Sequence, residues 1–194
     1  MAAMDMDISA YQLSAVLAGH EEDVRAVGSI DDAVITGSRD KTARLWRPSG
    51  SAEGGYVCAS TLEGHTHYVM TVAATAEGAI ASGSNDKHVI VWDLEGGRPS
   101  HVLEGHTDTV SCVRASQTGA LFSASWDKTA RVWRGGECVR KLEGHAAALW
   151  GVLPLDDDES VLTASADRTI KLWRAAACER TFEGHTDVVR DLIA

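Results

Sequence analysis

The sequence predicts an all-β protein built from repeats of about forty residues. The dipeptide Gly-His occurs five times, and successive copies lie 39 to 45 residues apart. A fixed period of this length is the signature of a repeat architecture. Between the copies, short alternating or apolar runs are separated by turn residues, which is the pattern of antiparallel strands. No stretch has a sustained 3.6-residue periodicity, so the protein is predicted to contain strands and no helices.

The repeat contains a polar set in addition to Gly-His. Each of the first four histidines is followed by a Thr or Ser, then by an Asp four residues later, then by a Trp six residues after the Asp. The sets are His20, Thr36, Asp40 and Trp46; His65, Ser82, Asp86 and Trp92; His106, Ser123, Asp127 and Trp133; and His145, Thr163, Asp167 and Trp173. Because each set is complete, four full units are predicted.

Each unit contains four predicted strands. In the third unit these are residues 109–114, 120–124, 129–133 and 138–142, and the breaks between them contain residues that favour turns, such as Gly119 and the pair Gly135-Gly136. The same division places the four units at 23–62, 68–103, 109–142 and 149–182. Two further strands are left over, at 11–17 before the first unit and at 187–193 after the fifth Gly-His.

These units resemble the WD40 repeats of β-propellers, in which each four-stranded unit is a blade. The Trp-Asp dipeptide that names the repeat occurs once, at Trp92-Asp93, and Arg follows the Trp in the other three units. The resemblance covers residues 11–193. It implies an incomplete propeller fragment over 11–194, with four full blades, an orphan N-terminal strand and the first strand of a fifth blade, after a disordered N-terminus at 1–10. We expect the N-terminal part of a larger propeller protein or a truncated gene model.

A hydroxyl, a His and an Asp that recur together could also form hydrolase triads. An enzyme needs one such site, whereas this chain has four equivalent sets, each of which ends in Trp. In a propeller, the His bonds to the hydroxyl and to the Asp, and the Trp donates its indole N–H to the hydroxyl. A chain of buried polar groups stabilises a fold when every member is satisfied. The four sets are therefore predicted to be structural networks, and no catalytic residue is predicted.

The candidate binding residues lie in the loops that carry Gly-His and in the loops that carry the network Asp. Both loops open on one face of a propeller, the top face, and their remaining positions vary among the blades. The predicted partner-binding residues are Asp23, Arg25, Arg39, Tyr68, Asn85, Asp108, Trp126 and Trp150. Aromatic and Arg anchors ringed by acidic groups suit a protein interface. The alternative is that Trp126 and Trp150 pack between adjacent blades.

Charge and composition argue against several partners. The formal net charge of −10 repels nucleic acid and anionic membranes. No apolar run approaches the roughly 20 residues of a membrane span. The first ten residues lead into no apolar segment of the kind found in secretory signals. We therefore expect a cytoplasmic or nuclear protein with no nucleic-acid partner and no membrane partner.

No metal or cofactor is predicted. His65 and His67 have the alternate spacing of metal ligands on one strand face, but His65 belongs to a polar set and no third or fourth ligand is evident. The acidic run at 156–159 lacks the Gly that gives a calcium loop its sharp bend.

Several longer segments have a closer resemblance. In order and at matching spacing, they resemble the N-terminal propeller of the phospholipase A-2-activating protein family. They are YQLSAVLAGHEEDVRAV at 11–27, GSRDKTARLW at 37–46, SASWDKTARVW at 123–133, GHAAALWGV at 144–152, LTASADRTIKLW at 162–173 and ERTFEGHTDVVR at 179–190. Family members have a seven-bladed propeller that binds ubiquitin on its top face, a second ubiquitin-binding domain and a C-terminal helical domain. The helical domain docks on the AAA ATPase known as valosin-containing protein.

The resemblance implies a non-catalytic, ubiquitin-binding adaptor in ubiquitin-dependent degradation and ubiquitin homeostasis, with no lipase chemistry. It assigns an acidic contact to the segment Asp23-Val24-Arg25, which suits the basic border of ubiquitin's apolar patch. Contact with the ATPase would need C-terminal domains that are absent here. A generic WD40 scaffold, which holds a peptide or substrate on its top face in a ligase or a signalling assembly, is the other function left open.

Overall fold

The computed structural model describes residues 15–50, 55–155 and 159–193. This part of the chain forms sixteen strands in four sheets and contains no helix. The first sheet contains β1 (Val24–Ile30), β2 (Ala33–Ser38), β3 (Ala43–Pro48) and β4 (Tyr56–Leu62), and the second contains β5 (Val69–Ala74), β6 (Ile80–Ser84), β7 (Val89–Asp93) and β8 (Arg98–Leu103). The third contains β9 (Val110–Ala115), β10 (Leu121–Ser125), β11 (Thr129–Arg134) and β12 (Glu137–Glu143), and the fourth contains β13 (Leu149–Pro154), β14 (Ser160–Ser165), β15 (Ile170–Arg174) and β16 (Ala177–Phe182). The predicted all-β fold class is confirmed.

Each sheet is an antiparallel meander whose strands lie in chain order. Short turns allow this order. Gly135 and Gly136 connect β11 to β12 with φ angles of 56° and 87°. A two-residue hairpin in which both φ angles are positive is a type I′ turn, whose twist matches that of the flanking strands. Glycine is favoured at both positions because it has no Cβ to resist a positive φ.

The hydrophobic core lies between neighbouring sheets. The first strands β5, β9 and β13 pack against the preceding sheet in each case. Ile35 and Leu45 of the first sheet share a buried cluster with Val69 of the second. Phe122 of the third sheet shares another with Leu149 of the fourth. The core of each of the first three sheets is therefore completed by the sheet that follows it in the sequence.

The four sheets form an open arc within the described residues. On β1, the apolar side chains of Val24 and Val27 are 52% and 73% exposed. Their equivalents on the next three first strands are Val69, Val72, Val110, Val113, Leu149 and Val152, all 6% exposed or less. The difference arises because β5, β9 and β13 each cover a preceding sheet, and no described residue forms such a sheet beside β1.

The structure differs from the sequence prediction at the two leftover strands. At the first of these, residues 15–17 form no strand, and residues 11–14 lie outside the described residues. The predicted disordered segment 1–10 and residues 156–158 of the acidic run also lie outside the described residues. Residues 187–193 also form no strand. Val189 of this segment is nevertheless buried, and its amide donates to the Ser165 carbonyl at 3.2 Å. The segment thus packs against the fourth sheet as a first strand would, but none of the described residues forms a neighbouring strand that could pair with it.

Candidate functional site

Each sheet carries one buried polar network at its top end. In the third sheet, His106 Nδ1 lies 2.8 Å from Asp127 Oδ2, and His106 Nε2 lies 2.8 Å from Ser123 Oγ. Trp133 Nε1 donates to the same Ser123 Oγ at 2.8 Å. The other three networks have the same connections, with all the corresponding distances between 2.6 and 2.8 Å. The structure therefore brings together all sixteen residues of the predicted sets, one set to a sheet.

The donors and acceptors determine the histidine tautomer in this network. An indole N–H can only donate, so Ser123 Oγ accepts from Trp133 and has its own proton available for His106 Nε2. His106 Nδ1 then carries the ring proton and donates it to Asp127. Each member of the chain is satisfied. Ser123 is fully buried and its oxygen also accepts from the Trp133 indole, so it is a structural group and not an accessible nucleophile.

The network carboxylates have lowered pKa values. Burial raises the pKa of Asp86, but hydrogen bonds from His65 and from backbone amides outweigh burial and bring it to about 2. Asp40 has the same value, about 2, because hydrogen bonds from Thr42 and His20 outweigh its burial. The pKa values of Asp127 and Asp167 are lowered in the same way. The four aspartates are therefore ionised acceptors at neutral pH.

A second layer of hydroxyls lies beside the network and was missed by the sequence analysis. Ser125 Oγ donates to the Asp108 carbonyl and accepts from the Asp127 amide, both at 3.0 Å. Thr129 Oγ1 donates to Asp127 Oδ1 at 2.7 Å. The serine recurs as Ser38, Ser84 and Ser165, all fully buried. The signal was present in the sequence, because this serine always lies two residues after the network hydroxyl.

The first strand of each sheet has a one-residue bulge near its top end. The bulged residue, which has no partner in the ladder, lies five residues after the network histidine in every sheet. These residues are Arg25, Met70, Ser111 and Trp150. A bulge leaves one residue unpaired and re-aims its side chain. The repeat thus places one variable side chain per sheet at the top end of the first strand.

Five of the eight predicted binding residues line one groove on this face. The groove has a volume of about 390 Å³ and is lined by Arg25, Arg39, Tyr68, Met70, Asn85 and Trp126. Met70 was not predicted, although it occupies the same bulge position as Arg25 and Trp150. The groove crosses the top ends of the first three sheets.

Arg39 is held in place from several directions. Its guanidinium donates to Asp23 Oδ2 at 3.2 Å and to Tyr68 Oη at 3.3 Å. It also lies over the Tyr68 ring, 4.6 Å from the ring centroid. The hydrogen bond to Tyr68, followed by that to Asp23, raises the pKa of Arg39 above its ordinary value. Asp23 therefore lies at the edge of the groove as the ion-pair partner of Arg39.

The remaining predicted residues lie outside the groove. Trp150 packs against Trp126 across the third and fourth sheets, with ring centroids 5.3 Å apart, and the Arg190 guanidinium lies 5.3 Å from the centroid of the Trp150 ring. This is the packing between blades that the alternative interpretation described, although Trp126 also lines the groove. Asp108 is exposed, and its carboxylate accepts from the Thr109 amide at 2.7 Å.

The same region offers no built metal site within the described residues. His67 Nδ1 accepts from the Tyr68 amide at 2.9 Å and lies 3.3 Å from the Asn85 amide nitrogen. No group of three or more His, Cys, Asp or Glu side chains in ranges 15–50, 55–155 and 159–193 could hold a metal ion. In these same ranges, no helix has the length and apolar character needed to cross a membrane.

Four-stranded meanders that pack side by side around their first strands, each locked by a His–hydroxyl–Trp network, define the blades of a β-propeller. This class of protein is generally a non-catalytic scaffold for protein interactions. The chain belongs to the family described as WD domain, G-beta repeat (WD40), which matches residues 11–47, 56–93, 97–134 and 136–174.

Individual relatives give the same result. The chain is 39% identical over 161 residues to the phospholipase A-2-activating protein of Xenopus laevis, which covers 78% of this chain and 20% of the relative. It is 36% identical over 90 residues to the small ribosomal subunit protein RACK1 of Candida albicans, which covers 44% of this chain and 28% of the relative. The crystal structure of the WD40 β-propeller domain of Doa1 superposes with a TM-score of 0.85 at 36% identity, over 94% of this chain and 62% of that one. The chain thus spans about a fifth of the first relative and less than two thirds of the solved propeller.

Proposed function

We propose that the chain is a non-catalytic ubiquitin-binding adaptor that acts in ubiquitin-dependent protein degradation and ubiquitin homeostasis, in the cytoplasm or the nucleus. The observation that supports this most directly is its 39% identity to a phospholipase A-2-activating protein over 78% of the chain. The proposal assigns ubiquitin binding to the top face. It assigns no contact with the AAA ATPase to these 194 residues.

The geometry of the top face supports a protein contact there. The Asp23 side chain is 68% exposed although it pairs with Arg39, so its carboxylate can accept a second hydrogen bond from a partner. Met70 and Trp126 add apolar surface in the groove that Arg39, the partner of Asp23, also lines. Ubiquitin is expected to present an apolar patch with a basic border. An acidic edge beside apolar surface on the top face complements such a patch. Charge complementarity of this kind gives specificity and a faster encounter.

The test is a titration of isotope-labelled ubiquitin with the full chain, followed by NMR chemical shifts. We expect shifts confined to one face of ubiquitin. Asp23→Arg should weaken binding by about tenfold or more, since it places a positive charge against a basic surface. Glu95→Arg is the matched control, because it makes the same charge change at an exposed site in the β7–β8 turn, at the opposite end of the sheets.

Two results would contradict the proposal. The first is the absence of any shift at high micromolar protein. The second is an equal effect of Asp23→Arg and Glu95→Arg, which would mean that net charge and not the top face controls binding.

A second candidate function is a WD40 scaffold that holds a peptide in its top-face groove. The observation that favours it is the presence of two arginines in the groove, Arg25 and Arg39, in a chain whose formal net charge is −10. Binding of unmodified ubiquitin and binding of such a peptide can be measured in separate titrations.

A further inference from the structure

The groove on the top face has a charge opposite to that of the whole chain. It contains the guanidinium groups of Arg25 and Arg39, and the one carboxylate that pairs with either of them within the described residues is that of Asp23, which pairs with Arg39. Two positive charges and one negative charge leave the groove with a net charge of +1. The other lining residues, Tyr68, Met70, Asn85 and Trp126, are uncharged at neutral pH.

The two arginines differ in how they are held. Arg39 is fixed by Asp23, Tyr68 and the Tyr68 ring, so little side-chain entropy remains to be lost when it binds a ligand. Arg25 is the bulge residue of β1 and is exposed, and its side chain makes no hydrogen bond or ion pair within the described ranges. A planar guanidinium matches a carboxylate in shape and can donate two hydrogen bonds to it. Arg25 therefore offers an unused carboxylate-binding group beside one that already holds a carboxylate.

The rest of the groove suits the neighbours of such a carboxylate. Met70 is a flexible apolar side chain that adapts to different contacts. Trp126 provides an aromatic surface, and its buried indole nitrogen has no acceptor within the described part of the chain. Because this nitrogen is not accessible to solvent, Trp126 offers a ligand apolar ring surface and not a hydrogen bond.

We propose that this groove binds an acidic segment of a partner protein. One Asp or Glu carboxylate of the segment lies between Arg25 and Arg39, and an adjacent aliphatic side chain lies on Met70 and Trp126. The net charge of +1 matches one carboxylate better than a doubly charged phosphate. The inference does not depend on ubiquitin binding, because the basic border expected of ubiquitin would contact Asp23 and not the two arginines.

The overall charge of −10 does not prevent this binding. At 0.15 M salt the Debye length is about 8 Å, so exposed charges elsewhere on the chain are largely screened at the groove. The two guanidinium groups act at contact distance, where screening is weak. Acidic peptides should consequently bind locally, in this groove, in spite of the repulsion from the rest of the surface.

The experiment uses the full chain and two fluorescein-labelled tetrapeptides, Leu-Glu-Glu-Leu-amide and Leu-Gln-Gln-Leu-amide, measured by fluorescence anisotropy at 0.15 M salt. The Glu peptide should bind more tightly than the Gln peptide. Arg25→Gln should weaken binding of the Glu peptide by about fivefold. Arg47→Gln is the matched control, because it removes the same charge from an exposed site at the other end of β3 and should leave binding within about twofold.

A substitution that should strengthen peptide binding separates a binding role of the groove from a structural one. Asp23→Asn removes the carboxylate that competes for Arg39 and raises the net charge of the groove to +2. It should strengthen binding of the Glu peptide by about twofold or more, an effect that damage to the fold would not produce. Circular dichroism of each variant checks that the sheets are intact.

The proposal is overturned if the Glu and Gln peptides bind equally, or if Arg25→Gln and Arg47→Gln have the same effect. It is also overturned if Asp23→Asn weakens binding of the Glu peptide. Failure of ubiquitin to bind in the separate titration would leave this result unchanged, so the two proposals can fail independently.

Discussion

Substitution of Asp127 by Ala should destabilise the fold substantially. The Asp127 carboxylate accepts four hydrogen bonds: from the His106 ring, the Thr107 amide, and the amide and hydroxyl of Thr129. The side chain of His106 is only 1% exposed, so the lost partner cannot be replaced by bulk water. A buried donor without a partner costs about 1 to 3 kcal/mol.

The total for Asp127→Ala follows from the two parts of the network. The stranded His106 contributes about 1 to 3 kcal/mol, and loss of the turn hydrogen bonds to Thr129 adds about 1 kcal/mol. We therefore expect a loss of about 2 to 4 kcal/mol in the free energy of unfolding. For a domain of this size, 1 kcal/mol corresponds to a shift of about 2 to 4 °C in Tm.

The measurement is urea unfolding followed by tryptophan fluorescence, with Tm from circular dichroism. Glu104→Ala is the control, because it removes an exposed carboxylate from the same loop region and should change the free energy of unfolding by less than about 0.5 kcal/mol. An Asp127→Ala variant that unfolds within about 0.5 kcal/mol of the wild type would refute the network argument.

Two other predictions concern the stability of the fold at low pH and the packing between neighbouring sheets. Because the folded-state pKa of Asp86 is lowered to about 2 from 3.8, its contribution is complete above about pH 4 and is lost as the pH falls through about 2. Urea unfolding from pH 5 to 2 should thus show a steeper loss of stability in the wild type than in Asp86→Asn, and equal slopes would contradict the assignment. A Cβ on Gly83 would lie 2.6 Å from Val110 and 2.8 Å from Thr71, so Gly83→Ala should cost about 1 to 3 kcal/mol. Gly28→Ala is its control in thermal unfolding, since that Cβ would meet ordinary contacts at 3.6 Å, and equal Tm values would argue against tight packing between sheets.

The repeating features of the molecule could be predicted from the sequence because repetition shows which positions are equivalent. The set of His106, Ser123, Asp127 and Trp133 recurs in four units, with one spacing from the hydroxyl to the Asp and the Trp and with 16 to 18 residues from the His to the hydroxyl, and the structure joins those residues by hydrogen bonds. The buried serine represented by Ser125 recurs just as regularly, and a comparison of the four units position by position would have found it.

Contacts between units could be predicted only in part, since the packing of Trp126 and Trp150 between blades was one of two interpretations. The ion pair of Asp23 with Arg39 lies within one sheet, but the contact of Arg39 with the Tyr68 ring and the tilted packing of Trp126 and Trp150 join neighbouring sheets. Such contacts depend on how far one sheet is rotated and shifted against the next, which no period in the sequence encodes. Residues 187–193 were predicted as a strand from their pattern alone, whereas a strand also requires a neighbour with which to pair.

The bulge positions of the first strands differ in chemistry from sheet to sheet, whereas the network positions are the same in every sheet. Arg25, Met70, Ser111 and Trp150 lie at one repeated position, yet one is cationic, one a thioether, one a hydroxyl and one aromatic. Buried neighbours such as the network aspartates are uniform in all four units. Ser111 donates to the Leu149 carbonyl of the next sheet and Trp150 packs on Trp126, so these two positions also hold neighbouring sheets together. Arg25 and Met70 line the groove, and mutation there can change ligand preference while the polar networks stay intact. Evolution can explore new partners for such a scaffold at these two positions, with little loss of stability at each step.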